Sequence, residues 1–249
     1  MTLTALAGIP AIRPGDDLAA LIVAALAQAG LTAENGDVLV LAQKIVSKAE
    51  GRIVDLRAVT ASPRATELAV VAKKDPRVVE LILRESTEVM RCVPGVIIVR
   101  HRRGFVMAHA GIDASNVEGD GEHVLLLPED PDASAAALRQ ALADHLGCDV
   151  GIVINDSFGR AWRNGTVGTA IGVAGPPGLW DMRGLPDRNG RKLMATEVGV
   201  ADELAAAASL LMGQADESLP VVHVAGFPLR LRASSGKELI RDRKTDLFR

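Results

Sequence analysis

The chain has 249 residues, 48% of them hydrophobic, and 28 Lys+Arg against 31 Asp+Glu give a net charge of −3. That apolar content, mostly Ala, Val, Leu and Ile, excludes a disordered chain and suffices for a core without disulfides or metal. The acidic balance, with only four Phe, two Trp and no Tyr, excludes a protein whose main task is to wrap or stack on nucleic acid. In chain order, Asp16 and Asp17 cap a predicted helix over Leu18–Ala29 that Gly30 ends. Val38–Leu41 reads as a buried strand, and Pro63–Lys73 and Asp75–Arg84 as two helices. Gly95–Val99 and Phe105–His109 read as a hairpin around Arg100–Gly104. Pro128–Gly147 is loop plus helix, Val150–Ile154 a second buried strand, Ala201–Met212 a helix stopped by Gly213, and Pro220–Val224 a further strand. Gly165–Pro186 is the least regular stretch, and the basic last twenty residues read as a solvated helix. This alternation predicts a mixed α/β fold. No stretch divides the chain, so a single domain over residues 1–249 is expected.

Cys92 and Cys148 are far apart among apolar neighbours and read as buried free thiols. No zinc spacing is present, and the five His are scattered. The N-terminus lacks the basic and long apolar regions of a signal peptide, and no apolar run reaches membrane-span length. A cytoplasmic protein with no membrane and no nucleic-acid partner is expected.

Four polar clusters each lie at the end of an apolar segment, where ligands of α/β sheets gather. The densest, from Asn155 to Gly165, follows Val150–Ile154. A carboxylate and a hydroxyl at Asp156 and Ser157 suit a hard cation, and Arg160 and Arg163 bracket Trp162 with forks that match carboxylate or phosphate. The residues alone fit equally a surface turn in which Asp156 caps and Trp162 covers core. Asp113 and Asn116 are three apart; they suit a metal or a base, or merely open an Asx-turn. Lys44 and Lys48 are four apart and share a face if helical, which suits a phosphate chain or a solvated surface. Met212–Pro220 offers Gln214, Asp216, Glu217 and Ser218, or simply a capped turn. There is no P-loop, no G-x-G-x-x-G and no Ser-His-Asp or Cys-His set. Carboxylates, lysines, arginines and amides together favour metal-assisted phosphoryl chemistry over a covalent serine.

Three segments, Gly111–Asn116, Asn155–Gly165 and Gln43–Arg52, with the opening Gly8–Asp17, closely resemble the coenzyme F420-0:γ-glutamyl ligase family in order and separation. The resemblance runs from about Gly8 to Val224. It implies a family-specific α/β fold working as an intertwined homodimer. It also implies a GTP-dependent ligase that adds L-glutamate to F420-0 through an acyl phosphate, releasing GDP and phosphate, assisted by Mg²⁺ or Mn²⁺ and K⁺. Carried over by position, Asp113, Asp156 and Ser157 would hold divalent metal, with Gln214 a further ligand. Ile9, Pro10, Ala11, Ile12, Gln43, Lys44, Lys48 and Asn116 would contact GTP. The turn Met212, Gly213, Gln214, Ala215, Asp216, Glu217, Ser218 and Leu219 would close over it. Asp113, Asp156 and Arg163 are the expected catalytic set, with Arg163 gripping acidic substrates from the turn Arg160–Arg163.

The chain departs from the family in places. Ser157 replaces Thr and keeps the hydroxyl, Ala161 replaces Pro and loosens a turn, and Gln214 replaces a carboxylate, which implies a weaker metal. The flavin-reductase-like extension of some relatives is not expected. A related amide ligase on another acidic cofactor, or a non-catalytic GTP and metal sensor, are the competing readings.

Overall fold

Residues 1–113 and 121–247 are described by a computed structural model. In chain order the elements are β1 (Thr2–Ala5), α1 (Leu18–Gln28), β2 (Val38–Ala42), α2 (Gln43–Ala49), β3 (Ile53–Asp55), α3 (Pro63–Ala72), α4 (Pro76–Arg84), β4 (Ser86–Val93), β5 (Val96–His101), β6 (Val106–Ala108), β7 (His123–Leu125), α5 (Pro131–Leu146), β8 (Gly151–Arg160), β9 (Arg163–Ala174), β10 (Trp180–Asp181), β11 (Glu197–Val198), α6 (Val200–Met212) and β12 (Val221–Ala225). The expected mixed α/β class is what the chain adopts. Among the described residues no helix is long and apolar enough to cross a membrane.

A five-stranded sheet in the order β1-β12-β2-β8-β9 forms the centre. Among the described residues only β2 and β8 run parallel, with Leu41 beside Ile154 and Ala42 beside Asn155. Both faces are covered, so their strands read as continuous apolar runs. Alternation still sorts the side chains. Leu39, Leu41, Ile152 and Ile154 pack with residues of α1 and α5, including Ile22, Leu26 and Leu142. Val38, Val40, Val153 and Val222 pack on α6 through Leu204, Ala205 and Ala208. A separate antiparallel sheet, β4-β5-β6, packs on α3 and α4. Helix starts follow local chemistry: Asp17, Ser62, Asp75 and Asp130 each accept a backbone N–H as N-caps, the last three followed directly by proline.

Several expectations need correcting. The expected irregular stretch is largely strand, since β9 runs to Ala174. Its glycines serve close packing: a Cβ at Gly168 would strike the Ala205 carbonyl of α6, and one at Gly172 the Pro131 carbonyl of α5. The strand expected to end at Ile154 continues to Arg160 as half of a long hairpin. Arg100 and His101 belong to β5 rather than to the hairpin loop. The C-terminal segment holds a single 3₁₀ turn, Gly236–Leu239, where an α-helix was expected. It is held by Ser235 Oγ–H and Gly236 N–H donating to Asp132 of α5, and by the Arg232–Glu238 pair. Cys92 and Cys148 are free as expected, but half-buried.

Candidate active site

A cavity of about 790 Å³ opens where β2 ends and β8 continues. The register explains the site. Ala42 is level with Asn155, so the chain turns into α2 just as β8 presents Asp156 and Ser157. Lys44 and Lys48, one turn apart on α2, then face the cavity from the same side. The opposite wall comes from the C-terminus of α6 and the following loop, and a third from Ile9–Ile12 after β1.

Asp113 arrives from elsewhere. Its backbone pairs with Leu125 of β7 through two hydrogen bonds, Asp113 N–H to Leu125 O at 3.0 Å and the reverse at 2.8 Å. It leaves a left-handed turn in which His109, Ala110 and Gly111 all have positive φ (55°, 55° and 70°). Two non-glycine residues there carry strain, which buried surroundings must hold in place. Ala110 is fully buried, and a Cβ at Gly111 would overlap Leu127 and Met107.

Lys44 Nζ donates to Asp113 Oδ2 at 2.7 Å. Ser157 N–H donates to Asp156 Oδ1 at 2.8 Å. Burial pushes the Asp156 carboxyl up to about 6; the Ser157 N–H opposes this, the facing Asp113 charge adds to it, and Lys44 opposes it. Ser157 Oγ–H donates to Gln214 Oε1 at 2.9 Å, and Gln214 Nε2–H donates to Ser209 Oγ at 3.1 Å. Gln214 is therefore fixed with its oxygen toward β8.

Asp113, Asp156, Ser157 and Gln214 line the same cavity and offer it oxygen atoms from different walls. Among the described residues no group of three or more His, Cys, Asp and Glu converges. Two carboxylates plus neutral oxygens suit a magnesium-type cation, which keeps waters and takes its remaining ligands from substrate phosphates. The raised Asp156 carboxyl follows first from burial, to which the facing Asp113 charge adds.

Most of the expected site residues converge. Ile9, Pro10, Ala11, Ile12, Gln43, Lys44, Lys48, Asp113, Asp156, Ser157, Met212, Gly213, Gln214, Ala215, Glu217, Ser218 and Leu219 all line this cavity. Asp216 does not line it, although its loop neighbours do. Arg163 does not line it either: it opens β9 at the exposed tip of the β8–β9 hairpin. Trp162, 86% exposed, covers no core in this chain. Asn116 lies outside the described residues.

Two polar lining residues, Asn155 and Ser209, were assigned no role from sequence. Asn155 is buried, its Nδ2–H donates to Met212 Sδ at 3.5 Å, and its Oδ1 has no partner among the described residues. Its place directly before Asp156 was a usable signal. Ser209 lies inside an Ala/Leu-rich helix and gave none.

Comparison with known proteins identifies relatives of the chain. The family described as F420-0:Gamma-glutamyl ligase matches residues 8–226. A Coenzyme F420:L-glutamate ligase of Methanothermobacter thermautotrophicus is 47% identical over 251 aligned positions, covering 100% of this chain and 99% of that one. The protein of the same name from Methanopyrus kandleri is 46% identical, covering 96% and 93%. That from Archaeoglobus fulgidus is 42% identical, covering 97% and 94%. With its cavity residues inside a match of that extent, the chain belongs to the F420-0:gamma-glutamyl ligase family.

Proposed function

We propose that the protein is a GTP-dependent ligase that adds L-glutamate to coenzyme F420-0. The observation that carries this reading is the gathering of Lys44, Lys48, Asp113, Asp156, Ser157 and Gln214 around one cavity. The names and full-length coverage of the relatives supply the substrates.

In this reading Lys44 and Lys48 neutralise the nucleotide's phosphates. Ile9–Ile12 and Gln43 line the base and sugar, and the Met212–Leu219 segment closes over them. Asp113, Asp156, Ser157 and Gln214 would hold Mg²⁺ or Mn²⁺, which supplies positive charge against the oxygens of the transferring phosphoryl group. A K⁺ ion completes the set, with no residue assigned to it. The γ-phosphoryl group passes from GTP to the terminal carboxylate of F420-0, giving an acyl phosphate and GDP. The glutamate amine then attacks the acyl carbon. The C–N bond forms, the C–O bond to phosphate breaks, and the amine loses a proton. The protein works as a homodimer in this reading.

The test is mass spectrometry of products from purified protein given F420-0, glutamate, GTP and Mn²⁺. Expected is a product heavier by one or more glutamyl residues, with stoichiometric GDP. Unchanged F420-0 alongside intact GTP overturns the reading; product on another acidic acceptor redirects it to a related amide ligase.

A further inference from the structure

Asp113 reaches the cavity through a turn that is costly to form. His109, Ala110 and Gly111 follow one another in the left-handed region, at φ 55°, 55° and 70°. L-residues visit that region as single positions rather than in runs, because Cβ crowds the following carbonyl oxygen. Glycine escapes the crowding, but His109 and Ala110 do not. The chain thus keeps two strained residues just before a cavity carboxylate, at positions where glycine would sit without strain. Strain of this kind gathers at functional sites and persists only where the surroundings enforce it.

Two cores enforce it here. Ala110 is fully buried with Leu68 and Ala72 of α3, Ile82 of α4, and Ile97 and Val99 of β5. Gly111 lies against the other core, where a Cβ would stand 2.8 Å from both Leu127 and Met107. Ile112 N–H closes the turn on the His109 carbonyl at 3.0 Å. Asp113 follows directly, its backbone paired with Leu125 of β7 and its carboxylate with Lys44 of α2. We propose that His109 and Ala110 are positioning residues, whose left-handed turn, locked between two cores, fixes the Asp113 carboxylate at the cavity for a divalent cation.

The gain is preorganisation. A carboxylate on a free loop must be ordered when the cation binds, and that ordering weakens binding. Apparent affinity falls by the fraction of time the ligand residue is in place. Burial of Ala110 and close packing at Gly111 shift the ordering cost from binding to folding. Asp156 needs no such device, because it stands on a strand of the central sheet. Among the described residues none of α3, α4, β4, β5 or β6 lines the cavity. In this inference that part of the fold serves the site by holding the turn. Glycine at position 109 or 110 would remove the strain but free the turn to take other conformations.

This inference rests on the cation reading above, and one titration separates their failures. Wild type, Ala110→Gly and His109→Gly are titrated with Mn²⁺ by electron paramagnetic resonance, alone and with GDP. Ala69→Gly, in the same core as Ala110 but on α3, is the control, since it weakens the fold without touching the turn. Thermal unfolding is recorded for all four proteins. Expected is Mn²⁺ binding about 5–10-fold weaker in both turn variants, as for a ligand residue in place roughly one time in five to ten. The control should lower Tm and keep the wild-type Mn²⁺ affinity. Either turn variant decides the matter should the other not fold. Turn variants that keep the wild-type affinity, or a control that loses as much as they do, overturn the positioning role and leave the cation reading intact. Wild type that binds no Mn²⁺ in either condition removes the cation reading and this inference with it.

Discussion

The parallel pair β2 and β8 carries a buried carboxylate at one end and a half-buried one at the other, and the two differ in how well they are satisfied. Asp37 precedes β2 at the N-terminal edge. Burial alone would raise its carboxyl, but the Glu34 N–H, His223 at 2.8 Å and the Gly226 N–H outweigh that and hold it below the usual range. Asp156 stands at the opposite edge, beyond the end of β2. Burial, with the facing Asp113 carboxylate adding to it and one short backbone hydrogen bond opposing, pushes it up to about 6. One edge closes its charges on themselves. The other leaves the Asp156 carboxylate less compensated, which is the charge state a cation would complete in the proposed reading. Ligand sites in α/β sheets collect at strand C-terminal ends, and here that preference coincides with the unsatisfied carboxylate.

The contrast is open to experiment. The largest effect is expected from Asp156→Ala, a fall in turnover of about 10³-fold or more with an unchanged circular dichroism spectrum, since a phosphoryl-transfer site would lose a principal ligand. Full activity in this variant would remove Asp156 from the chemistry. At the other edge, Asp37→Ala leaves His223 buried and unpaired and should cost about 3–5 kcal/mol in urea unfolding, without removing any cavity residue. The pH dependence has a definite sign. Because the Asp37 carboxyl is lowered in the folded protein, its stabilisation is fully present above the ordinary carboxylate range and is lost as pH falls through the lowered folded value. A wild-type urea midpoint that holds down to strong acid would contradict this.

The third effect runs in the opposite direction. Asp156→Asn, in the absence of divalent cation, should stabilise the protein by something on the order of 2–3 kcal/mol, or roughly 4–10 °C in Tm. The gain should be full above pH 6 and vanish below about pH 4, because the raised carboxyl is ionised in the fold only at the higher pH. A lower Tm for this variant at pH 7 would mean that Asp156 is satisfied after all. Lys48→Ala should raise the KM for nucleotide about tenfold with little change in kcat, as expected when a phosphate-binding cation shared by ground and transition states is lost. Smallest of all, Arg163→Ala should leave the nucleotide KM within about twofold, because the residue lies off the cavity of its own chain. Unchanged KM values for F420-0 and glutamate as well would end its proposed role in gripping the acidic substrates.

Arg163 also shows where reading by sequence proximity fails. Asn155 to Gly165 is one continuous polar motif in sequence. The structure splits it, with Asn155–Ser157 at the cavity and Arg160–Arg163 at an exposed tip. An extended strand advances about 3.3 Å per residue, so Arg160 is already roughly 13 Å along the strand from Asp156. In a helix the same spacing brings residues together, which is why Lys44 and Lys48 were legible as a pair and Asp156 and Arg163 were not. The strands β3 and β7, three residues each, carry too short a pattern to recognise, yet the second of them holds Asp113.

By itself the sequence determined the element types of its strongly patterned segments, the caps of its helices, and the chemical inventory of the site. Those follow from interactions within a few residues, which spacing records directly. Only the tertiary structure decided that β2 stops level with Asn155 while β8 runs on, so that α2 and Asp156 meet. It alone closed the Asp37 carboxylate on His223, far away in the chain, and folded the Glu217 carboxylate onto the Ala215 N–H. Whether a charge is satisfied depends on partners that local pattern does not specify, and in this protein that difference separates the carboxylate closed within the fold from the one that lines the cavity.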